Sequence, residues 1–519
     1  MLREMLAMDY EIELKLSINK ADARKLRQVL VLDHLALNNP AKHKITSIYF
    51  DTRDLQLLDA GITLRLRHKA RDWIQTIKLA GTANSGLHQR CEWEDLVRSG
   101  HPDYTKIKSP KLIRFFADQK LRASLIPIFQ TEIMRTEWLL TFENVDKVEL
   151  SLDLGMLRAN QCQEPINEIE LELKAGNVGR IFDLALELQK SIPLKIENAS
   201  KAKRGYAYYR PSAPQIFKSK FPNLDSNIDV NAAFKKITLE CISHLEGNQD
   251  IVLIESDVEG IHQMRVALRR LRSAFTLFKN LINSEESRFL LTEVNWLTDT
   301  LGKVRDLDVF ITETLPMVTE SSINHNGFFK LKGQALQARL LASQEMQEAL
   351  MSQRYHKLLL MLSSWLENER WLGQQNMAKN YKLHTIAKKS LSKFYKRLLQ
   401  SKLQFKDMKP EYRHAVRITA KKLRYASEFF YGLYSSKEAG PFIKKLAKLQ
   451  DSLGKLNDII VTENFLMSIS GSMPNAIDKD VKLAFANWSR KKTDQEISRV
   501  DSSLKKLLEV KPFWIDNKK

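Results

Sequence analysis

Cysteine is nearly missing from this chain: 519 residues hold three, Cys91, Cys162 and Cys241. An odd number so widely spaced makes neither a disulfide framework nor a zinc site, which points to a reducing, cytoplasmic setting. Long apolar runs are missing too. None reaches the roughly 20 residues that a membrane span requires. Residues Met1–Ala7 are too short and too interrupted by charge to act as a signal peptide. The composition that remains, 43% hydrophobic and 28% charged, is that of a globular protein and excludes wholesale disorder. At about 150 residues per domain, the length allows roughly two to four domains.

The formal charge is +20 and is unevenly spread. Residues 1–210 carry 33 Lys and Arg against 28 Asp and Glu, whereas the remainder carries 49 against 34. The second part should therefore attract a polyanion such as nucleic acid, an acidic lipid surface or a phosphate polymer.

Residues 9–210 read as α+β. Alternating apolar and polar residues mark strands at 9–18, 45–51, 61–69, 73–80, 87–96, 128–142, 147–154 and 166–174. Helices are expected at 20–32, opened by Asn19, and at 177–190, where Phe182, Ala185, Leu186 and Leu188 form an apolar stripe. Eight strands in about 200 residues suit a closed antiparallel β-barrel, which leaves no exposed edge. A Pro-rich linker follows at 211–227. Beyond it the pattern is all-α, with helical apolar spacing over 260–283, 329–350, 382–403 and 411–434. Two blocks there repeat at an offset of 152 residues: Ile261–Arg272 with Arg413–Arg424, and Leu301–Asp306 with Leu453–Asp458. A constant offset implies duplication, hence two similar helical bundles about a pseudo-twofold axis.

The strands have a second property. On each, one face is apolar and the other ionised: Glu11, Glu13 and Lys15; Arg65 and Arg67; Lys78; Arg90, Glu92 and Glu94; Arg135 and Glu137; Glu149, Ser151 and Asp153; Glu168, Glu170 and Glu172. For any one strand this is an ordinary solvated face. Taken together, with a helical stripe available to cover the apolar sides, the charged faces are expected to line a lumen. Ions buried there must pair with one another or with a ligand and metal, because an unpaired one costs several kcal/mol. Arg and Lys grip a triphosphate, and carboxylates hold Mg²⁺ or Mn²⁺.

Glu11-Ile12-Glu13-Leu14-Lys15 resembles the ExExK signature of the CYTH superfamily, the triphosphate tunnel metalloenzymes. Ser47–Thr52, Leu64–Arg67, Thr76–Lys78, Arg90–Glu92, Arg135, Asp153, Glu168–Glu170 and Ser200-Lys201 agree in order over roughly residues 8–210. The resemblance implies metal binding by Glu11, Glu13, Glu168 and Glu170, and phosphate binding by Lys15, Arg65, Arg67, Lys78, Arg135 and Lys201. It also implies a catalytic set of Glu13, Glu92 and Asp153, the last two orienting the cations or a metal-bound water. Arg90, Glu172, Lys174 and Arg204 are second-tier candidates. Inorganic triphosphate is the favoured substrate, hydrolysed to pyrophosphate and phosphate. The alternatives are thiamine triphosphatase, class IV adenylate cyclase and a non-catalytic polyphosphate binder. Cyclases of that class show a His-Phe pair before the signature, where this chain has Met8-Asp9-Tyr10. Trp73, Trp93 or Trp138 could face a thiazolium ring, although packing is the commoner use of a barrel Trp.

In the helical part, His262, Arg265, Arg269 and Arg272 recur every three or four residues, as do His414, Arg417, Lys421 and Arg424. Each set makes a cationic stripe on one helix face. A single stripe would be a solvated face; its recurrence in both repeats favours an anion site. Each His should protonate beside phosphate and join the site. His-x-x-Arg-x-x-x-Arg-x-x-Arg, with Leu301–Asp308, resembles the CHAD domain over roughly 228–510, with Lys421 and Asn457 departing in the second repeat. That resemblance implies polyphosphate binding. A nucleic-acid partner is disfavoured because Phe275, Phe278, Tyr425, Phe429 and Phe430 fit a buried stripe rather than a stacking platform. Expected partners are thus inorganic triphosphate and polyphosphate, with no membrane.

Overall fold

The computed structural model describes residues 10–29, 34–143, 145–320, 325–372, 382–400, 405, 408–472 and 477–515. Two compact units divide the chain: Met1–Pro214 with Met351–Arg370, and Gln215–Leu350 with Trp371–Lys519.

The first unit is built on an antiparallel sheet. Its strands are β1 (Tyr10–Ile18), β2 (Ala41–Asp51), β3 (Ile62–Lys69), β4 (Asp72–Leu79), β5 (Thr82–Asn84), β6 (Leu87–Val97), β7 (Ile126–Phe142), β8 (Asp146–Ala159), β9 (Cys162–Ala175) and β10 (Leu194–Ile196). The order is β10-β1-β9-β8-β7-β2-β3-β4-β6-β5, and a further pairing of β1 with β6 closes eight of them into a barrel. All eight expected strands are present; residue 9 lies outside the described residues. The short strands β5 and β10 flank the barrel and lacked enough residues to show a period.

Apolar side chains point out of the barrel and are covered there. Helix Gly179–Gln189 buries Ile181, Phe182, Leu184, Ala185 and Leu188 and packs on β1 and β9, whose Leu14, Leu16, Ile169 and Leu171 are fully buried. On the far wall, Leu64, Leu66 and Ile77 pack with Leu112 and Leu121 of the short helices Pro110–Phe115 and Gln119–Ser124 and with Phe116, which caps the first. One end of the barrel is sealed by helix Lys201–Tyr209, whose Tyr206 joins Tyr49, Phe129, Leu157 and Ile166 in a compact cluster. The helix expected at 20–32 is shorter. It runs over Lys20–Ala23 and continues as a 3-10 turn, Lys25–Gln28, and Asn19 provides no side-chain cap. Residues 30–33 lie outside the described residues.

The second unit is helical among its described residues. Helix Val258–Leu277 and helix Pro410–Phe429 are shifted by 152 residues at both ends and pack on each other. Helix Glu285–Val309 likewise packs on Ser436–Ser472, which contains its copy. A helix that meets its own copy is what a twofold relation requires. The stretch 211–225 has no helix or strand, as its prolines dictate.

Gly205 lets the sealing helix approach the barrel. A Cβ there would lie 2.2 Å from the Phe129 ring. Gly205→Val should lower stability by about 1–3 kcal/mol through overpacking, read as an earlier urea midpoint; an unchanged midpoint would show that the seal is loose.

Candidate active site

Side chains alternate along each strand, so the closed barrel turns the ionised faces inward. They surround a cavity of 590 Å³ lined by nine Lys and Arg and eight Glu side chains. Register sets their neighbours: Lys15 stands opposite Glu170, Glu13 opposite Glu172, Arg65 opposite Thr76 and Tyr49, and Arg135 opposite Asp153.

The charges pair across strands. Lys78 Nζ reaches Glu11 at 2.7 Å and Glu92 at 2.9 Å, and Arg90 reaches Glu11 at 2.9 Å and Glu13 at 2.5 Å. Lys15 bonds Glu13 at 2.7 Å and also Glu170. Arg135 holds Asp153 with two hydrogen bonds of 2.7 and 2.6 Å and reaches Glu170 at 2.5 Å. Lys201, brought in by the first turn of the sealing helix, lies 2.8, 2.7 and 2.9 Å from Asp153, Glu168 and Glu170.

Burial alone would keep these carboxyls protonated, but the cations outweigh it. Lys15, Lys201 and Arg135 hold Glu170 well below the ordinary range despite its burial. Lys15 and Arg90 lower Glu13, Arg135 and Lys201 lower Asp153, and Lys78 and Arg65 lower Glu92, each against its burial. Glu172 goes the other way: burial raises it, Lys174 only partly offsets this, and Glu11 and Glu149 add to the rise.

Arg67 is the least compensated of the strand cations. Burial and the neighbouring Arg65 and Arg135 lower its pKa, and its Glu94 partner is 3.8 Å away. The Nε atoms of Arg65 and Arg67 are buried without a hydrogen-bond partner, a donor set suited to an anion. Of the expected residues, Glu11, Glu13, Lys15, Arg65, Arg67, Lys78, Glu92, Arg135, Glu170 and Lys201 line the cavity. Asp153 and Glu168 are buried beside it, bound to Arg135 and Lys201 and to Lys201 and Arg204 respectively. Sequence reasoning missed Tyr49, Thr76 and Lys69, which also line it. Thr76 and Lys69 lie two residues from Lys78 and Arg67, so strand parity carried their signal; Tyr49 lies on β2, where no lumen residue was expected. The Arg65 guanidinium bonds Tyr49, and its effect with that of Lys201 outweighs burial and lowers the phenol pKa. Trp73, Trp93 and Trp138 fall on the opposite parity; the first two pack in the outer core and Trp138 is buried.

Glu11, Glu13 and Glu170 offer hard oxygen donors, and Glu13 and Glu170 are held ionised. That chemistry fits a divalent metal such as Mg²⁺ or Mn²⁺. Among the described residues no three acidic, His or Cys side chains already form a cage, because Lys15, Lys78 and Arg90 occupy these oxygens.

In the helical unit, Arg265, Arg269, Arg417 and Lys421 form one cationic cluster across the two repeats. Burial, then Arg417, Arg269 and Arg265, push Lys421 down to about 7. The Nε atoms of Arg269 and Arg417 are buried without a partner. Two aspartates related by the repeat, Asp306 and Asp458, border the cluster; Arg265 reaches Asp306 at 3.3 Å. Burial raises both, Asp458 to about 6. His262 is pushed down to about 4 by burial and by Arg305 and Arg269, so it is neutral at neutral pH rather than cationic. His414 is lowered as well, by burial and then Arg417. Arg272 is exposed. Arg424 is tied to Glu428 at 2.8 Å and to Gln450 at 3.3 Å. Arg270, next to Arg269 in sequence, is 1% exposed and bonds Glu428 at 2.6 Å, joining the two repeats.

The chain therefore joins a closed barrel with an ionised lumen to a duplicated helical unit with a shared cationic cluster. Residues 9–206 match the CYTH domain and residues 236–467 the CHAD domain, so the chain belongs to the proteins that join these two families. It is similar to an inorganic triphosphatase from Haemophilus influenzae, 35% identical over 201 residues, a match covering 38% of this chain and 54% of that protein. The chain thus spans about half the length of that curated relative. The chain is also similar to the crystal structure of the CHAD domain from the plant Ricinus communis, with 28% identity, a TM-score of 0.50, and coverage of 56% of this chain and 97% of that one.

The lowered carboxylates make the barrel sensitive to acid. Their contribution is complete above the unfolded Glu value of 4.5 and is lost as pH falls through the lowered folded values. The melting temperature should therefore be near its maximum between about pH 5 and 8 and should drop steeply below. A protein that becomes more stable on acidification would contradict the pairing.

Proposed function

We propose that the barrel hydrolyses inorganic triphosphate to pyrophosphate and phosphate with a divalent metal, and that the helical unit binds polyphosphate. The observation that carries the first part is the balanced lumen: among the described residues it is lined by nine cations, eight carboxylates and, of the aromatics, only Tyr10 and Tyr49. A bare polyanion would upset that balance, whereas one accompanied by divalent metal largely preserves it. The outward placement of Trp73, Trp93 and Trp138 leaves little surface for a thiazolium ring or a nucleobase, which disfavours the thiamine triphosphate and cyclase readings. The Haemophilus relative, named an inorganic triphosphatase, agrees with this substrate.

Glu11, Glu13 and Glu170 would hold the metal. When bound, it would neutralise charge developing on the phosphate oxygens and lower the pKa of a bound water. Lys15, Arg65, Arg67, Lys78, Arg135 and Lys201 grip and align the chain, and buried Asp153 positions Arg135 and Lys201. Glu168 anchors Lys201 and Arg204 from beneath. Glu92 faces the lumen and orients Lys78 and Arg65. Water attacks the terminal phosphorus, the P–O bond to the bridging oxygen breaks, and pyrophosphate leaves. Phosphoryl transfer of this loose kind needs little from a base, so positioning and charge dominate. That suits carboxylates whose lowered pKa makes them weak bases.

The test is phosphate release from tripolyphosphate, ATP and thiamine triphosphate, each with and without Mg²⁺ or Mn²⁺. Tripolyphosphate should be preferred and release should require metal. Glu11→Gln and Glu13→Gln should lower kcat by at least about 100-fold, the scale on which one electrostatic group acts in catalysis, with polyphosphate binding retained. Turnover unchanged in both folded variants would refute the metal assignment.

Polyphosphate binding by the helical unit follows from its surplus of cations and the unpartnered Nε atoms of Arg269 and Arg417. Binding should strengthen as pH falls through 7 and then 6, because Lys421 gains its charge near 7 and Asp458 loses its charge near 6. Titration of fluorescent polyphosphate at fixed salt reads this; affinity that weakens over that interval would count against the cluster as the site.

A further inference from the structure

Helix Gln353–Glu367 belongs by sequence to the helical half, yet it packs with the barrel. It lies against helix Gly179–Gln189 and strand β10. Gln353 Oε1 accepts from the backbone N–H of Leu194 at 3.1 Å and from the Gln189 side chain at 3.0 Å. His356 Nδ1 accepts from the Ile196 N–H at 3.2 Å; burial, and then Lys195, lower its pKa to about 4, which keeps this acceptor neutral. At the other end Asp183 accepts from Ser364 at 2.6 Å, from Asn368 at 3.2 Å and from Arg370. Tyr355, Leu358, Leu359, Leu360, Leu362, Trp365 and Leu366 are buried, and with them the polar His356, Ser363 and Ser364, so most of the helix circumference is covered.

The fit is close. A Cβ on Gly179 would lie 2.0 Å from Asn368 Oδ1. Gly179 begins its helix at an ordinary helical position, where alanine would otherwise be favourable, so only this neighbour demands glycine. The segment is also anchored on both sides. Helix His325–Met351 ends one residue before its N-cap, Ser352. Just after it, Trp371 stacks edge-on against Phe234 at 5.2 Å, and its Nε1 donates to Asn231 at 3.1 Å.

We propose that helix Gln353–Glu367 is a docking segment that fastens the helical half to the barrel independently of the 211–225 linker. The barrel then has two attachments to the rest of the chain, one covalent and extended, the other a buried helix between the two repeats. The second bears on β10, which pairs with β1 through Leu16, Ser17 and Ile18, next to Lys15 in the lumen. This inference does not rest on the triphosphatase reading.

The test uses the full chain with a protease recognition sequence placed within 211–225. After cleavage the two fragments should co-elute in size-exclusion chromatography at low micromolar concentration. Gly179→Ala in the cleavable chain should weaken their association at least about tenfold, and Asn368→Gly added to it should restore the affinity by removing the clash. If Gly179→Ala does not fold, Gln353→Ala, which removes only the Leu194 and Gln189 hydrogen bonds, takes its place and should weaken association by a smaller factor. Fragments that separate on cleavage, or that stay together unaffected by these substitutions, would overturn the proposal.

Discussion

The pairing of opposite charges inside a closed sheet is the constraint on which the barrel depends. An isolated ion transferred from water to the interior would cost several kcal/mol, and here seventeen Lys, Arg and Glu side chains line one cavity. They are tolerated because the strand register sets lysines and arginines directly beside carboxylates, as with Lys15 and Glu170 or Arg135 and Asp153. Once the ions face inward, the apolar faces must be covered from outside. The Gly179–Gln189 helix and the 110–124 segment do this on different sides, while the sealing helix packs on inward-facing Tyr49 and Phe129 at one end. The inside-out arrangement thus explains both the ionised lumen and the outer layer.

The two units treat charge in opposite ways. In the barrel, cations and carboxylates nearly balance, and the carboxyls whose pKa falls do so because cations outweigh their burial. In the helical cluster, cations crowd one another, so the pKa values of Lys421, Arg265 and Arg417 fall while those of Asp306 and Asp458 rise. Under the proposed function, a balanced cavity suits an anion that arrives together with metal. A surplus of mutually repelling cations is relieved by an anion alone, which is the behaviour of a binding surface.

Much of the barrel was legible because its signal has period two and needs no knowledge of the partner strand. Glu11, Arg65 and Arg135 could be placed on one face from sequence alone, and closure of the sheet made that face the lumen. Parity also held for Tyr49, Thr76 and Lys69, which were overlooked because their residue types are unremarkable on a strand. In the helical unit, spacing identified the stripes but not the fate of each member. Arg265 and Arg417 belong to the shared cluster, whereas Arg424 turned to Glu428 and Arg270 became a buried link between repeats. Those outcomes depend on a carboxylate from the second repeat, 158 positions from Arg270.

The sequence by itself determined the alternation of ionised and apolar faces, the tandem duplication and the two regimes of charge, since all three are properties of residue order along one strand or helix. Tertiary structure alone decided how deep Asp153 and Glu168 lie, which histidines stay neutral, and which unit owns helix Gln353–Glu367. Burial and pKa depend on what other segments bring near, and no local pattern records it. An apolar helix looks alike from sequence whichever core receives it; here the seat was set by Gly179, Asp183 and the free N–H groups of β10, far away along the chain.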